Sequence, residues 1–139
     1  HMIDTRVERQ GALYRESDPL DLTAVVDESV LHRPIGGHDV LYAQLNHLTT
    51  IVARPNVDVR VLPLSAQEQP FFFGTLLLFG FPWAADGLAY TEHGTGPVYI
   101  DRPGDLEAHA ARFDRLLEVA LPPQDSLDLI RLAAKEIAQ

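Results

Sequence analysis

The sequence predicts an α+β fold in which a central sheet of about five strands, mostly antiparallel or mixed, is covered by helices. Segments typical of strands cluster in the middle of the chain, between residues 22 and 100. Other segments have apolar residues at helical spacing. Together the two kinds of segment give the order α-β-α-β-β-β-β-α-α, in which two helices end the chain. Because the chain has 139 residues and is 46% hydrophobic, we expect a single domain with one packed core.

The first half of the chain is predicted to hold two helices and two strands. Residues 3–15 form a short helix with a thin apolar face, and residues 22–26 form a buried strand rich in β-branched side chains. A pair of glycines precedes the clearest helical periodicity, at residues 40–54, which a proline ends. Residues 57–62 alternate between apolar and polar types, which indicates a strand with one solvated or partnered face.

The second half is predicted to hold three strands before the last two helices. Residues 71–81 are a long apolar run, which we interpret as a central strand that is bent or bulged at Gly74. Residues 88–92 and 97–100 are two short strands that a glycine-containing turn joins. A pair of prolines separates the two closing helices from each other.

Composition limits the class of protein. The chain has 11 basic and 20 acidic side chains, a net charge of −9, so we expect this segment to repel phosphates and to bind no nucleic acid directly. Its longest apolar run, residues 71–81, is about half the length of a bilayer-spanning helix, and no membrane association is expected. The absence of cysteine excludes disulfides and fits a cytoplasmic location. His1 and Met2 look like the remnant of an expression tag.

Acidic residues at the ends of two predicted strands are the candidates for chemistry. Asp27 is expected to cap the turn that follows the first strand, whereas Glu28 either pairs with Arg33 or belongs to a functional site. Glu92 ends a later strand and precedes His93. If the strands of Glu28 and Glu92 are neighbours, the two carboxylates converge and can supply an acid and a base. Arg33 is then a counter-ion or binds an anionic ligand.

Aromatic residues concentrate in and beside the apolar run. Together with two tyrosines on the short strands, they predict the floor of an apolar ligand pocket; the alternative is a core with an interface. The aromatic residues given this role are Phe73, Phe79, Trp83, Tyr90 and Tyr99. The histidines show no paired metal-ligand spacing, and the sequence predicts neither a metal site nor a cofactor.

Several short strings, in a fixed order, carry a resemblance to a known family. They are VVDESVL at 25–31, RPIGG at 33–37, QL at 44–45, RPNV at 54–57, VRVLP at 59–63, YTE at 90–92, VYI at 98–100, FDRL at 113–116, AL at 120–121 and SLDLI at 126–130. From about Arg6 onward the chain resembles the domain of unknown function 5753. The resemblance implies the C-terminal domain of helix-turn-helix regulators, including antitoxin-like regulators of the Scr type, here without the basic DNA-binding segment.

Three hypotheses about function follow. The first is an effector or sensor domain that binds a small molecule or a small partner protein. The second is a stand-alone enzyme on the same scaffold, a cyclase or isomerase with acid–base groups at Glu28, Glu92 and His93, suggested by the missing DNA-binding segment. The third uses exposed aromatic residues as a homodimer surface. The predicted ligand-binding residues are Glu28, Arg33, Gln44, Phe73, Phe79, Trp83, Tyr90, Glu92 and Tyr99.

Overall fold

The structure is a computed structural model that describes residues 2–67, 75–82 and 87–139, apart from the side chain of His93. Its helices and strands, in chain order, are α1 (Met2–Gln10), β1 (Leu22–Asp27), α2 (His38–Ile51), β2 (Val57–Leu62), β3 (Leu76–Phe79), β4 (Leu88–His93), β5 (Gly96–Ile100), α3 (Pro103–Val119) and α4 (Pro123–Ile137). Two 3-10 helices lie at Gly11–Tyr14 and Glu28–His32. No helix in the described ranges is both long and apolar enough to cross a membrane.

The described residues divide into two compact units. The first unit comprises His1–Ser65 and Ala120–Gln139, and the second comprises Ala66–Val119. The first therefore contains β1, β2, α1, α2 and α4, and the second contains β3, β4, β5 and α3. Each unit has its own sheet, and the strands of the two sheets are hydrogen-bonded only within their own unit in the described part of the chain.

In the first unit, β1 and β2 form a parallel pair that α2 connects. The pairing runs from Leu22 opposite Val57 to Asp27 opposite Leu62. Parallel strands need a crossover connection, and α2 supplies it. The chain enters α2 through Gly36 and Gly37, whose φ angles of 83° and 105° lie in the region that side chains with a Cβ rarely adopt.

Of the helices in the first unit, α2 and α4 pack on the parallel pair. The larger core cluster joins β2, α2, α4 and the 3-10 helix after β1, through Leu31, Leu41, Leu45, Val61, Ile130, Ala133 and Ala134. A second cluster, of Leu13, Val57 and Val59, lies toward the start of β2. The alternation of β2 has the expected meaning over its first five residues, because Val57, Val59 and Val61 are buried, and Leu62 at the end of the strand is buried as well.

The edge of β2 that faces away from β1 is hydrogen-bonded to the segment that leads into α4 and to the first turn of α4. The backbone N–H of Leu121 donates to the carbonyl oxygen of Val61 at 2.9 Å. The backbone N–H of Val61 donates to the hydroxyl of Ser126 at 2.9 Å, and this hydroxyl donates to the carbonyl oxygen of Leu121 at 3.1 Å. Ser126 and Val61 are both fully buried. Since buried polar groups need partners, this small network satisfies an edge that would otherwise lack them.

The second unit is an antiparallel meander. The strand order is β3-β4-β5, with Leu77 opposite Tyr90 and Tyr90 opposite Tyr99. α3 contacts β4, and Ala89 in that strand is fully buried.

The α+β class, the five strands and the two C-terminal helices are confirmed. The single central sheet was stated too loosely, because in the described residues the five strands form a parallel pair and a separate antiparallel triplet. The strand predicted in residues 71–81 is described only as Leu76–Phe79, at the edge of its sheet and not at its centre. Gly74, where a bend was predicted, lies outside the described residues.

Candidate functional site

Asp27 has the capping role that its position predicted. Its side-chain oxygen accepts a hydrogen bond from the backbone N–H of Ser29 at 3.0 Å, at the start of the 3-10 helix Glu28–His32. This is the arrangement that favours short acidic side chains where a helix begins. Asp27 therefore has a structural role, because its side chain caps the 3-10 helix that follows β1.

Glu28 is bound on both sides by its own unit. One carboxylate oxygen accepts a hydrogen bond from the backbone N–H of Leu64 at 2.6 Å, and the other lies 3.9 Å from Nε2 of His32. The side chain is 17% exposed. Since Leu64 follows β2 and Glu28 follows β1, the carboxylate ties together the chain at the carboxyl ends of both parallel strands. Hydrogen bonds of this charge-assisted kind are stronger than neutral ones.

Arg33 and Gln44 lie in the same unit as Glu28. Arg33 is exposed, and within the described ranges the partners of Glu28 are Leu64 and His32, not Arg33. Gln44 is exposed on α2, directly before the buried Leu45. No hydrogen bond between Gln44 and Glu28 is found among the described residues.

The second unit carries a sheet face that is apolar, aromatic and exposed. Residues directly opposite each other in an antiparallel pair share a face, and side chains two apart along a strand do so as well. From the register, one face carries seven side chains, which we call the aromatic face: Leu77, Phe79, Leu88, Tyr90, Glu92, Pro97 and Tyr99. The opposite face includes the fully buried Ala89.

Exposure distinguishes the two faces of β3 in particular. Leu77 is 37% exposed and Phe79 is 43% exposed, whereas Leu76 and Leu78, on the other face, are more protected. A sheet side that projects large apolar groups into solvent is characteristic of interaction surfaces.

The centre of the aromatic face is a pair of tyrosines beside a carboxylate. The rings of Tyr90 and Tyr99 are 5.3 Å apart between centroids and inclined at 61°, an edge-to-face contact. The hydroxyl of Tyr90 donates to the carboxylate of Glu92 at 2.7 Å. Tyr99 is 64% exposed, so its ring is available on this surface while Tyr90 holds the carboxylate in place.

The structure thus brings together four of the predicted site residues: Phe79, Tyr90, Glu92 and Tyr99. Glu28, Arg33 and Gln44 lie in the other unit. Because β1 and β4 belong to different sheets, the condition on which the convergence of Glu28 with Glu92 depended is not met. Phe73 and Trp83 lie outside the described residues, as does the side chain of His93.

The sequence reasoning missed Leu77, Leu88 and Pro97. Leu77 lies in a continuous apolar run, so alternation could not tell which of its leucines would face solvent. The signal that could have found Leu88 and Pro97 was the hairpin of β4 and β5. Once β4 and β5 are paired through their glycine turn, period-two alternation places Leu88 and Pro97 on the side of Tyr90 and Tyr99.

A depression outside the aromatic face is lined by described residues of the first unit. This shallow depression of about 130 Å³ lies between β2 and the start of α4, where Asp58, Pro123 and Leu127 contribute to its wall. Sites for drug-sized ligands are several times larger. In the described ranges, His, Asp and Glu side chains form no group of three suited to a metal ion.

The structure is an α+β fold whose second unit has an exposed, partly aromatic sheet face. The family model described as "Domain of unknown function (DUF5753)" matches residues 1–132 of the 139-residue chain. The chain belongs to this family. Neither the curated proteins nor the solved structures contain a match to it.

Proposed function

We propose that this chain is a binding module, an effector or sensor domain, that takes its ligand or partner on the aromatic face without changing it chemically. The observation that carries the proposal is the edge-to-face pair of Tyr90, on the central strand β4, and Tyr99, on the outer strand β5, where Tyr99 is 64% exposed. Tyrosine is over-represented among the residues that dominate binding energies, because it buries a large ring while losing little conformational entropy.

The contacts of the two candidate carboxylates favour binding over catalysis. Glu28 is occupied by a backbone N–H and by His32, which suits a structural tether better than a proton-transfer group. Glu92 accepts a hydrogen bond from Tyr90 and lies on a sheet separate from β1. The cyclase or isomerase alternative needs these two acids together.

A sensor role also fits the resemblance to the C-terminal domains of helix-turn-helix regulators. In that role a separate segment reads DNA, and this domain reports the presence of a ligand or partner. The net charge of −9 supports such a division of labour, since an acidic domain gains nothing from phosphate contacts.

The test is a ligand-observed NMR screen of a library of small apolar and aromatic compounds against wild type and two variants. We expect Tyr99→Ala to lower the affinity for the compounds that bind wild type about tenfold, the loss typical of a hot-spot side chain. The matched control is Tyr42→Ala, because Tyr42 is 41% exposed on α2 in the other unit. Its affinities are expected to equal those of wild type.

Two outcomes would contradict the proposal. Equal affinities of Tyr99→Ala and wild type would place the binding elsewhere, and the absence of saturable binding by any compound would count against the face as a ligand site. Mass spectrometry of each compound after incubation separates the alternatives, because the sensor returns it unchanged. Conversion that is lost in Glu92→Gln would favour the enzyme.

A further inference from the structure

Acidic side chains outnumber basic ones in and beside the segment that carries the aromatic face. Between residues 75 and 101 the sequence contains three acidic side chains, Asp86, Glu92 and Asp101, and no lysine or arginine. Glu92 belongs to the aromatic face itself. Arg102 follows this segment directly, and with three acidic side chains before it the local electrostatic potential is expected to be negative.

The tyrosine pair and the carboxylate have the chemistry that recognises a cation. A cation is attracted to the face of an exposed aromatic ring, and Tyr99 is 64% exposed. Glu92 is fixed by its 2.7 Å bond to Tyr90, so its orientation does not have to be ordered when a partner binds. In the strand register Glu92 is diagonal to Tyr99, a spacing of about 7–8 Å that long side chains bridge.

We infer that the aromatic face binds an arginine side chain presented by a basic segment of a partner protein. The inference rests on the proposed function and deepens it. A guanidinium stacks on a tyrosine ring through its plane and donates two parallel hydrogen bonds to a carboxylate through its edge. Tyr99 and Glu92 offer these two features on one sheet side.

The shape of the site favours a protein over a small organic cation as the source of the guanidinium. Small-molecule sites enclose most of the ligand surface, whereas Tyr99, Phe79 and Leu77 are exposed on one face of the three-stranded sheet. A flat, aromatic surface with a polar rim is the usual anatomy of a protein interface. The apolar residues around the tyrosines are then covered by the partner's neighbouring side chains.

The experiment titrates the full chain, isotopically labelled, with four probes and follows the backbone amide signals. The probes are N-acetylargininamide, its uncharged citrulline analogue, an arginine-containing decapeptide and the same decapeptide with citrulline in place of arginine. We expect both arginine probes to shift the amides of β4 and β5. We expect the affinity of each citrulline analogue to be at least about threefold lower than that of its arginine counterpart, because the analogue loses an exposed cation–π contact and an ion pair. The decapeptide should bind more tightly than the single residue.

Variants assign the effect to the two groups. Glu92→Gln and Tyr99→Leu are each expected to weaken the arginine decapeptide about threefold. Glu107→Gln, at an exposed position of α3, is the control for removing one negative charge and should match wild type. The dispersion of the amide spectrum verifies that every variant is folded.

Each contrary outcome overturns a separate part of the inference. Equal binding of the arginine and citrulline probes would refute cation recognition, while shifts on β4 and β5 by the apolar compounds would leave the proposed function intact. Equal affinity of N-acetylargininamide and the decapeptide would refute a partner protein and favour a small organic cation. If Glu107→Gln and Glu92→Gln lose equal affinity for the arginine decapeptide, net charge alone explains the binding, and the role assigned to Glu92 is refuted.

Discussion

Replacing Ser126 by alanine tests whether one hydroxyl holds α4 against the edge of β2. The hydroxyl accepts the N–H of Val61 at 2.9 Å and donates to the carbonyl of Leu121 at 3.1 Å. Ser126 is fully buried, as is Val61. Ser126→Ala removes both hydrogen bonds, and the buried site leaves no direct access for water to replace them.

The expected loss of stability is about 2 kcal/mol. A buried donor left without a partner costs roughly 1–3 kcal/mol, and here the N–H of Val61 is such a donor. The carbonyl oxygen of Leu121 loses the donor that the hydroxyl supplies, and this adds a smaller amount to the loss of stability. Alanine is the better helix former by about 0.5 kcal/mol, and this gain offsets part of the loss because Ser126 lies within α4.

Urea unfolding followed by circular dichroism measures this difference. We expect Ser126→Ala to lower the midpoint with an unchanged slope, which identifies a loss of stability without a change in the surface exposed on unfolding. Ser65→Ala is the control, because Ser65 is exposed, and such changes are usually within about 0.5 kcal/mol. A change in Ser126→Ala no larger than in Ser65→Ala would refute the role assigned to the hydroxyl.

Two further substitutions test the core of the first unit and the pairing of the second. Ile130→Ala, at a fully buried position, is expected to destabilise the chain by about 2–5 kcal/mol in urea unfolding, whereas Leu132→Ala, 52% exposed on the same helix, should change it by much less; equal effects would contradict the core assignment. Gly87→Ala would put a Cβ against the carbonyl oxygen of Phe79, so we expect the amide signals of β3 and β4 to shift broadly. Gly94→Ala meets no neighbouring atom and should leave those signals in place.

Local signals in the sequence predicted the first unit well. The alternation in residues 57–62 coincides with β2, Val57–Leu62, because a strand with one buried face must repeat every second residue. The periodicity after the glycines coincides with α2, His38–Ile51. The capping role of Asp27 was also predictable, since a short acidic side chain reaches the backbone N–H two residues on without help from distant parts of the chain.

The candidate site was predicted in part. Phe79, Tyr90, Glu92 and Tyr99 were named from their residue types and strand positions, and the register places all four on one face. The grouping of Glu92 with Glu28 required a particular strand order, and residue types carry no information about which strands pair. The structural use of Glu28 also depends on Leu64, 36 residues away, and no spacing rule connects the two positions.

The sequence by itself determined the α+β class, the positions of most helices and strands, and the acidic, cysteine-free character of the chain. These follow from interactions over a few residues and from composition. The tertiary structure alone decided that the strands form two sheets, that Leu77 and Phe79 face solvent, and that Ser126 completes the edge of β2. Those features depend on contacts between residues far apart in the chain. Such contacts contribute to stability only when folding has brought the residues together.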